Sequence, residues 1–204
     1  VIEKHGARGL YKGYPGPSGE HPPFPGVICT SVNHEVCHGL PDDRRLKEGD
    51  IVGIDLGLKY RGWCGDACVT YAVGQVSPEA KRLLEVARES LYVGIRASVP
   101  GSHLNDVGFV IERHARRQRM SVVKEWGGHG IGRALHEDPA VPHTRARGRG
   151  PRLRPGMTYT IEPMVNIGRR DWILQDDGWT VVTKDGSLSA QFEHTIAITE
   201  NGPE

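Results

Sequence analysis

The chain has 204 residues, of which 37% are hydrophobic and 25% are charged, and its formal net charge is +1. This length can form one domain with a buried core, and no apolar run reaches the roughly 18 residues of a membrane span. The near-neutral charge excludes a global attraction to nucleic acid or membrane. Four cysteines without a secretory signal ahead of them predict reduced thiols, a soluble protein and a cytoplasmic location.

The first part of the chain predicts a loop followed by strands. Residues 12–26 are too rich in proline and glycine for a helix or an interior strand, so we expect a surface loop. The β-branched residues of 27–36 and 51–58 predict two strands. Residues 60–65 are expected to turn the chain into a returning strand over 67–73.

Two helices are predicted in the middle of the chain. Ser77 is a favourable N-cap, Pro78 suits the first helical position, and Pro100 ends the segment. A second helix should begin near Ser102. The buried faces are predicted from apolar residues at helical spacing: Leu84, Ala87, Leu91 and Ile95, then Leu104, Val107, Ile111 and Ala115. After residue 122 the pattern indicates strands, most clearly over 157–165, 179–183 and 191–199.

One internal repeat relates the two halves of the chain. Residues 46–55 read LKEGDIVGID and residues 153–162 read LRPGMTYTIE, with a leucine, a basic residue, a glycine and a final Ile–acid pair in common. Each copy precedes a second predicted strand that opens on another acid, Asp66 or Glu193. Isolated Ile–acid pairs recur by chance in strands, but repetition of the whole frame favours two copies of one hairpin.

The acids of this repeat predict a metal site. Asp55, Asp66, Glu162 and Glu193 lie in apolar strand patterns, where an ionised carboxylate is costly to bury without a cation. Four converging acids can hold two divalent ions about 3.5–4 Å apart, the spacing of ion pairs that activate water. His129 in GGHGIGR is the candidate imidazole ligand, because its flanking glycines allow close approach. Taken alone, a histidine between glycines is more often a structural turn residue than a metal ligand. The presence of the four acids favours the role of metal ligand for His129.

Five segments resemble the bacterial-type, or type I, methionine aminopeptidases in order and spacing. They are CTSVNHEVCHGLPDD, IDLGLKYRGWCGDA, GGHGIGRALHEDP, LRPGMTYTIEPMV and DGWTVVTKDGSLSAQFEHT. The resemblance, which runs from about Ala7 to the C-terminus, implies an α/β (α+β) pita-bread fold. In that fold, two pseudo-symmetric halves with curved antiparallel sheets and outer helices surround a central dinuclear metal site. We expect a single catalytic domain over residues 1–204 that lacks the family's N-terminal extension.

The resemblance implies a metal ligand role for each matching residue. Asp55 would chelate one ion, His129 and Glu162 the other, and Asp66 and Glu193 would bridge the two. Carboxylates with one imidazole accept Mn, Fe or Co and also hold Zn, so the physiological metal stays open.

The same resemblance implies the catalytic and substrate-binding residues. His38 and His136 match the family's non-ligand histidines over the scissile amide, and satisfied polar side chains are the alternative. Glu162 would also move a proton from water to the leaving amine. The pocket for the methionine side chain would be lined by Tyr11, Tyr14, Cys29, Leu135 and Trp179. For each of these residues, simple packing in the hydrophobic core is an equal alternative.

Three features depart from the family pattern. Leu135 stands where many relatives have Phe, which keeps the pocket apolar. Cys64 stands where His is common, and we favour an inert thiol over a redox or inhibitory role. The 12–26 loop is longer than in the simplest relatives, so its position over the pocket stays open.

The implied activity is metal-dependent hydrolysis of the N-terminal methionine from peptides and nascent proteins, with a small second residue preferred. A proline-directed peptidase or creatine-type hydrolase of the same fold is a rival, but those relatives lack the SLSAQFEHT and GWT contexts. A metal-free binding protein is a second rival, and it would have lost ligands that this chain retains. We expect a monomer without membrane contacts.

An arginine-rich stretch, HTRARGRGPRLR, spans residues 143–154. The favoured interpretation is a solvated loop. A transient contact with ribosomal RNA is the alternative, because backbone phosphates attract such charge without regard to sequence. The arginines concerned are Arg145, Arg147, Arg149, Arg152 and Arg154.

Overall fold

A computed structural model describes residues 1–16 and 21–204, whose regular structure comprises two α-helices and mostly short strands. The helices are α1 (Pro78–Ala97) and α2 (Leu104–Arg117), and a 3₁₀ turn covers Glu3–His5. The strands are β1 (Arg8–Gly9), β2 (Cys29–Val32), β3 (Glu35–Cys37), β4 (Ile51–Tyr60), β5 (Trp63–Ala72), β6 (Ser121–Val122), β7 (Gly128–Gly130), β8 (Glu137–Val141), β9 (Thr158–Ile161), β10 (Met164–Asn166), β11 (Trp172–Leu174), β12 (Val181–Thr183), β13 (Ser189–Gln191), β14 (Glu193–Thr199) and β15 (Gly202–Pro203).

The strands form one large antiparallel sheet and two small ones. In the large sheet β1, β4, β5, β14, β9, β7 and β8 lie side by side in that order, with β2 on β4 and β15 on β14. The small sheets have the orders β13-β10-β6 and β11-β12-β3. The two copies of the repeat thus contribute the pairs β4–β5 and β9–β14. These pairs meet where Glu193 lies opposite Cys68.

Alternation along β9 separates the hydrophobic core from the polar residues. Tyr159 and Ile161 are fully buried in the largest apolar cluster, together with residues of both helices such as Leu83. Thr160 and Glu162 point to the opposite face, where their side chains are hydrogen bonded to each other. Side chains alternate between the two faces of a strand, so Glu162 lies on the face of the sheet that points away from the helices.

The β4–β5 hairpin is longer and tighter than predicted. Its turn consists of Arg61 and Gly62 alone, because β4 extends through Tyr60 and β5 begins at Trp63. The expected turn over residues 60–65 and the expected start at residue 67 are therefore wrong. Both turn residues have positive φ, 49° and 85°. Such turns match the right-handed twist of the strands and allow pairing up to the tip.

The predicted strand 27–36 is divided in two. The chain turns at Asn33, where φ is 57°, so that β2 pairs with β4 whereas β3 pairs with β12 in a small sheet. The hydrophobic pattern does not show this break, because Val32 and Val36 on either side are both buried.

Two further predicted strands are divided in the same way. Segment 157–165 breaks around Pro163, and segment 191–199 breaks at Phe192. The pieces β10 and β13 leave the large sheet and pair with each other. The predicted segment 179–183 is a strand only from Val181.

Both helices begin close to the predicted residues. Ser77 caps α1, since its hydroxyl accepts the Ala80 N–H at 3.1 Å, and the helix ends before Pro100. The buried face of α1 is rotated from the prediction, because Leu84 and Ile95 are only partly buried. The residues of α1 that are buried are Ala80, Leu83, Val86, Ala87, Ser90, Leu91 and Gly94.

The predicted face of α2 is confirmed. Its four expected residues are all buried: Leu104, Val107, Ile111 and Ala115. Within residues 1–16 and 21–204, no helix combines the length and the apolar character that crossing a membrane requires.

The predicted loop over residues 12–26 contains neither helix nor strand in 12–16 and 21–26, and residues 17–20 lie outside the described residues. The loop is not wholly at the surface, because the Phe24 side chain is 3% exposed. Its ring packs edge to face on Trp179 at 5.1 Å. The second half of the loop is therefore part of a packed cluster.

A Ser77→Ala substitution should lower the free energy of unfolding by about 1 kcal/mol, because alanine leaves the Ala80 N–H without its side-chain acceptor. Urea unfolding followed by circular dichroism measures the change. Ser77→Asp keeps an acceptor and should remain close to the parent protein. An alanine variant as stable as the aspartate variant would contradict the assigned cap.

Candidate active site

One cavity of about 380 Å³ is lined by every residue that the sequence analysis assigned to the site. Those residues are Tyr11, Tyr14, Cys29, His38, Asp55, Asp66, His129, Leu135, His136, Glu162, Trp179 and Glu193. They come from both halves of the chain and from several strands and loops. The fold therefore gathers the candidate ligands, the two further histidines and the apolar residues around a single space.

Asp55 and Asp66 are joined by a tyrosine. The Tyr11 hydroxyl lies 2.5 Å from a carboxylate oxygen of each acid. A hydroxyl has one proton, so it donates to one of these oxygens at a time. The Tyr11 ring crosses β4 at Gly57, where a Cβ atom would lie 2.6 Å from the ring. Glycine is required there because any side chain would displace Tyr11.

The imidazole of His129 is oriented by the backbone. Its Nδ1 lies 3.0 Å from the Gly130 carbonyl oxygen and donates to it, so Nε2 keeps its lone pair for the cavity. Nε2 is 3.7 Å from Oε1 of Glu162. Donor atoms of Asp66, His129 and Glu193 lie within 4.8 Å of one another. This trio has the ligand types and proximity of a metal site.

The acids share unfavourable electrostatics. Burial, followed by the charge of Asp66, raises the pKa of Asp55 to about 8. Burial likewise raises the pKa of Asp66, and it raises the pKa values of Glu162 and Glu193 well above their ordinary range. Each carboxyl therefore holds a proton more tightly than it would in water. A divalent cation can take the place of such protons and compensate the clustered charge.

The buried carboxylate of Glu193 gives a second reason for a cation. Its side chain is 2% exposed, and within the described parts of the chain Oε1 has no hydrogen-bond partner. An unsatisfied buried carboxylate oxygen is costly. The unpaired oxygen of Glu193, together with the nearby ligand atoms of Asp66 and His129, is better explained by a divalent metal site than by simple packing.

His38 and His136 differ from His129 in their surroundings. Burial lowers the pKa of each to about 4, so both rings are neutral at pH 7. Nδ1 of His136 is 2.7 Å from the Tyr14 hydroxyl, and its ring centroid is 4.1 Å from that of His129. The His38 ring packs edge to face on Trp126 at 5.1 Å. Neutral imidazoles in such places can donate hydrogen bonds into the cavity.

An apolar cluster forms one part of the cavity wall. It joins Tyr11, Cys29, Leu135 and Trp179 to Phe24. The indole N–H of Trp179 donates to the Pro22 carbonyl oxygen at 2.9 Å, which fixes the ring. Phe24 was missed in the sequence, because a proline- and glycine-rich segment has no periodicity that would mark a buried residue.

Three residues that were not predicted from the sequence support Glu162. Thr160 donates to its Oε1 at 2.7 Å, and the Gln191 amide donates to its Oε2 at 3.3 Å. The His143 ring accepts the Glu162 N–H at 3.2 Å. Thr160 could have been found, since it precedes Glu162 by two residues on the same strand face. No local signal connects His143 or Gln191 to the site.

Cys64 connects β5 to the loop that carries His136. Its N–H donates to the Gly132 carbonyl oxygen at 2.7 Å, and its sulfur lies 3.6 Å from the Arg133 carbonyl oxygen. The Arg133 guanidinium stacks on the Trp63 ring at 3.8 Å. Cys64 is partly buried, and the inert thiol favoured from the sequence, rather than a redox or inhibitory one, stays a prediction.

Comparison with known proteins identifies the family. Residues 2–200 match metallopeptidase family M24. The chain belongs to this family. Methionine aminopeptidase 1 of Bacillus subtilis is 50% identical to this M24 peptidase over 98% of the chain and 78% of the relative. The methionine aminopeptidase of Escherichia coli is 47% identical over 89% of the chain and 69% of the relative. Within M24 the chain thus belongs to the methionine aminopeptidases.

Solved structures show the same fold. The methionine aminopeptidase of Rickettsia prowazekii superimposes on the M24 peptidase with a TM-score of 0.94 at 46% identity, covering 100% of this chain and 79% of the other. The Xaa-Pro dipeptidase of Bacillus anthracis, at 23% identity and a TM-score of 0.68, shares the fold alone. The predicted pita-bread fold is confirmed, and membership of a metallopeptidase family makes divalent metal its cofactor.

Stability of the metal-free M24 peptidase should depend on pH with a sign set by Asp55. The folded state holds this proton up to about pH 8, whereas the unfolded carboxyl titrates near 3.8. Between these values the folded state binds the extra proton, so the free energy of unfolding falls as pH rises, by up to about 1.4 kcal/mol per pH unit. We expect the Tm of chelated protein to fall from about pH 5 to about pH 8. Asp55→Asn should flatten this dependence, and equal slopes would contradict the assignment.

Proposed function

We propose that this M24 peptidase is a methionyl aminopeptidase that hydrolyses the N-terminal methionine from peptides and nascent proteins, with a small second residue preferred. One observation carries the proposal: Tyr11 belongs both to the apolar cluster and, through its hydroxyl, to the acid cluster. An apolar side chain in the pocket would therefore place its own backbone beside the acids. The identity to relatives called methionine aminopeptidases supports the same substrate.

We assign the metal site to two divalent ions. Asp55 would hold one, His129 and Glu162 the other, and Asp66 and Glu193 would bridge them. The proximity of the Asp66, His129 and Glu193 donors supports this assignment. Oxygen-rich sites with one imidazole suit Mn, Fe or Co and also accept Zn. When bound, such ions lower the pKa of water and polarise a carbonyl group.

Glu162 is our candidate for proton transfer. Burial and the neighbouring acids raise its pKa, and both of its carboxylate oxygens accept hydrogen bonds from protein donors. Glu162 is thereby held in one orientation and can take a proton from water and pass it to the leaving amine. His38 and His136, both neutral, would donate hydrogen bonds to the substrate amide and to the oxyanion that develops from it.

The pocket explains the choice of methionine. Tyr11, Phe24 and Trp179 present aromatic surfaces, and Cys29 and Leu135 complete the apolar wall. A thioether makes favourable contacts with aromatic rings, and an unbranched chain can enter between closely packed side chains. Tyr14 stands at the His136 side of the cavity, where its hydroxyl holds the imidazole.

Residues 1–204 are proposed to form one catalytic domain. Its largest apolar cluster includes residues from Ile51 to Ile198, so the two halves share a core. A monomeric state, a cytoplasmic location and the lack of membrane contacts stay predictions.

A transient ribosome contact through the arginine-rich stretch also stays a prediction. Arg149 pairs with Asp106 at 3.3 Å, and Arg152 donates to the Gly101 carbonyl oxygen at 3.3 Å. The Arg145 guanidinium lies over the Phe109 ring, 5.9 Å from its centroid. Intramolecular contacts thus already engage three of the five arginines. The remaining arginines, Arg147 and Arg154, would have to supply most of the contact with RNA phosphates.

Chelated protein should not cleave Met-Ala-Ser, and addition of Mn or Co should restore cleavage, because four acids and one imidazole form the proposed site. Release of free methionine is the measurement. Leu-Ala-Ser should be cut far more slowly, since a branched chain fits the pocket poorly. Met-Trp peptides should also be poor substrates, because the second residue must be small.

Three results would contradict this function. Full activity in metal-free protein would exclude metal dependence, and equal rates for Met-Ala-Ser and Leu-Ala-Ser would exclude a methionine pocket. Preference for an Ala-Pro dipeptide would support the proline-directed alternative instead.

His129→Ala and His136→Ala should distinguish a metal ligand, His129, from a hydrogen-bond donor to the substrate, His136. His129→Ala removes a proposed ligand, so Mn affinity and activity should both fall. His136→Ala should keep its Mn and lower kcat by about 10²–10³-fold, as for loss of an oxyanion donor. Calorimetric Mn binding beside steady-state kinetics distinguishes them. Equal loss of Mn affinity in both variants would place His136 among the ligands.

A further inference from the structure

Thr160 is a buried hydroxyl between two of the candidate ligands. Its side chain is 0% exposed, its Oγ1 accepts the His129 backbone N–H at 3.0 Å, and the same hydroxyl donates to Oε1 of Glu162 at 2.7 Å. His129 lies on β7 and Glu162 directly follows β9, so the hydroxyl connects adjacent strands of the large sheet. Thr160 therefore contacts one ligand through its backbone and the other through its carboxylate.

The direction of these hydrogen bonds is determined by chemistry. A backbone N–H can only donate, so Oγ1 must accept from His129, and the single proton of Oγ1 goes to Glu162 when that carboxylate is ionised, as a metal ligand would be. Aligned hydrogen bonds of this kind strengthen one another. Oε2 of Glu162 accepts from the Gln191 amide, so each carboxylate oxygen has one protein donor. The remaining lone pairs of Glu162 are thereby left for the cavity.

Close packing of β7 on β9 makes this contact possible. At Gly128, the residue before His129, a Cβ atom would collide with the Thr160 carbonyl oxygen and would lie 3.0 Å from its Oγ1. Only glycine lets the His129 N–H come within hydrogen-bond distance of the hydroxyl. Glycine is therefore required at position 128 by the close approach of Thr160. This requirement is separate from the space that flanking glycines leave around the His129 imidazole.

Other threonines near the site make different contacts. Thr195 exchanges two hydrogen bonds of 2.9 Å with the backbone of Asp66, and Thr70 bonds to the backbone of Gln191. Neither contacts a carboxylate among the hydrogen bonds found in residues 1–16 and 21–204. Thr160 differs because its hydroxyl reaches the carboxylate of a candidate ligand.

We infer that Thr160 is a positioning residue that sets the geometry of His129 and Glu162 toward the metal ion they share. The inference rests on the proposed function, in which both residues bind the same ion. Without the hydroxyl, the His129 N–H loses its acceptor and Oε1 of Glu162 loses its donor. Both ligands can then move, and the ion is held less tightly. Outer partners of this kind typically contribute about 10–100-fold in metal affinity.

The test is calorimetric titration of the chelated protein with Mn²⁺. Thr160→Val keeps the shape of the side chain and removes the hydroxyl, so we expect one of the two binding steps to weaken by about 10–100-fold. Thr160→Ser keeps the hydroxyl and should retain the affinity of the parent protein. A role in packing alone would predict the opposite order, because serine lacks the methyl group and valine has both.

Thr183→Val is the matched control. Thr183 is 3% exposed, lies on β12, and its hydroxyl donates to the Ser187 carbonyl oxygen at 2.7 Å. The substitution removes one partly buried hydrogen bond of a residue that does not line the cavity, so the Tm should fall while Mn²⁺ affinity stays unchanged. If Thr183→Val lost affinity as Thr160→Val does, general destabilisation would explain both and the inference would be wrong.

Two other outcomes overturn the inference. Thr160→Val could bind Mn²⁺ as tightly as the parent protein, or Thr160→Ser could be as weak as Thr160→Val. In either case normal Mn²⁺ binding and Met-Ala-Ser cleavage by the parent protein would leave the proposed function intact. A parent protein that bound no Mn²⁺ and cleaved no methionyl peptide would overturn the proposed function and the inference together.

Discussion

The burial of four carboxylates on one face of a sheet is the constraint on which the rest of the structure depends. Burial raises the pKa values of all four, Asp55, Asp66, Glu162 and Glu193, and the charges of neighbouring acids raise those of Asp55, Glu162 and Glu193 further. The surrounding residues supply donors that reduce the cost, among them the Tyr11 hydroxyl. These donors do not suffice, since Oε1 of Glu193 has no partner in the described parts of the chain. A polar arrangement that is incomplete without a cation is what a metallopeptidase requires.

Sequence alone predicted the acids of the site, because they follow the most local rule in the chain. A strand alternates its faces, and the repeated frame places an acid at the end of an apolar run in both halves. The buried face of α2 was predicted for the same reason, whereas that of α1 was rotated, since apolar residues there continue around the helix. Family resemblance, rather than periodicity, supplied the roles proposed for His38 and His136.

The remaining features depend on contacts that no local pattern records. Strands break at Asn33, near Pro163 and at Phe192, yet the residues on both sides stay buried, so the hydrophobic pattern runs through each break. Phe24 is buried although it belongs to the 12–26 loop, whose proline- and glycine-rich composition predicts a surface position. The approach of Tyr11 to Gly57 joins residues of two separate segments. Such pairings are determined by tertiary packing and become visible only in the folded chain.

The junction between β5 and β14 is short, with two residue pairs in register against ten between β4 and β5. Asp66 and Glu193 lie on opposite sides of this junction, and more than half of the chain separates them in sequence. An ion bound by both would stabilise the folded protein by mass action, because the two carboxylates lie close together only in the folded chain. The bound metal would then also hold the two halves of the molecule together at this short contact, so its removal would cost stability as well as activity.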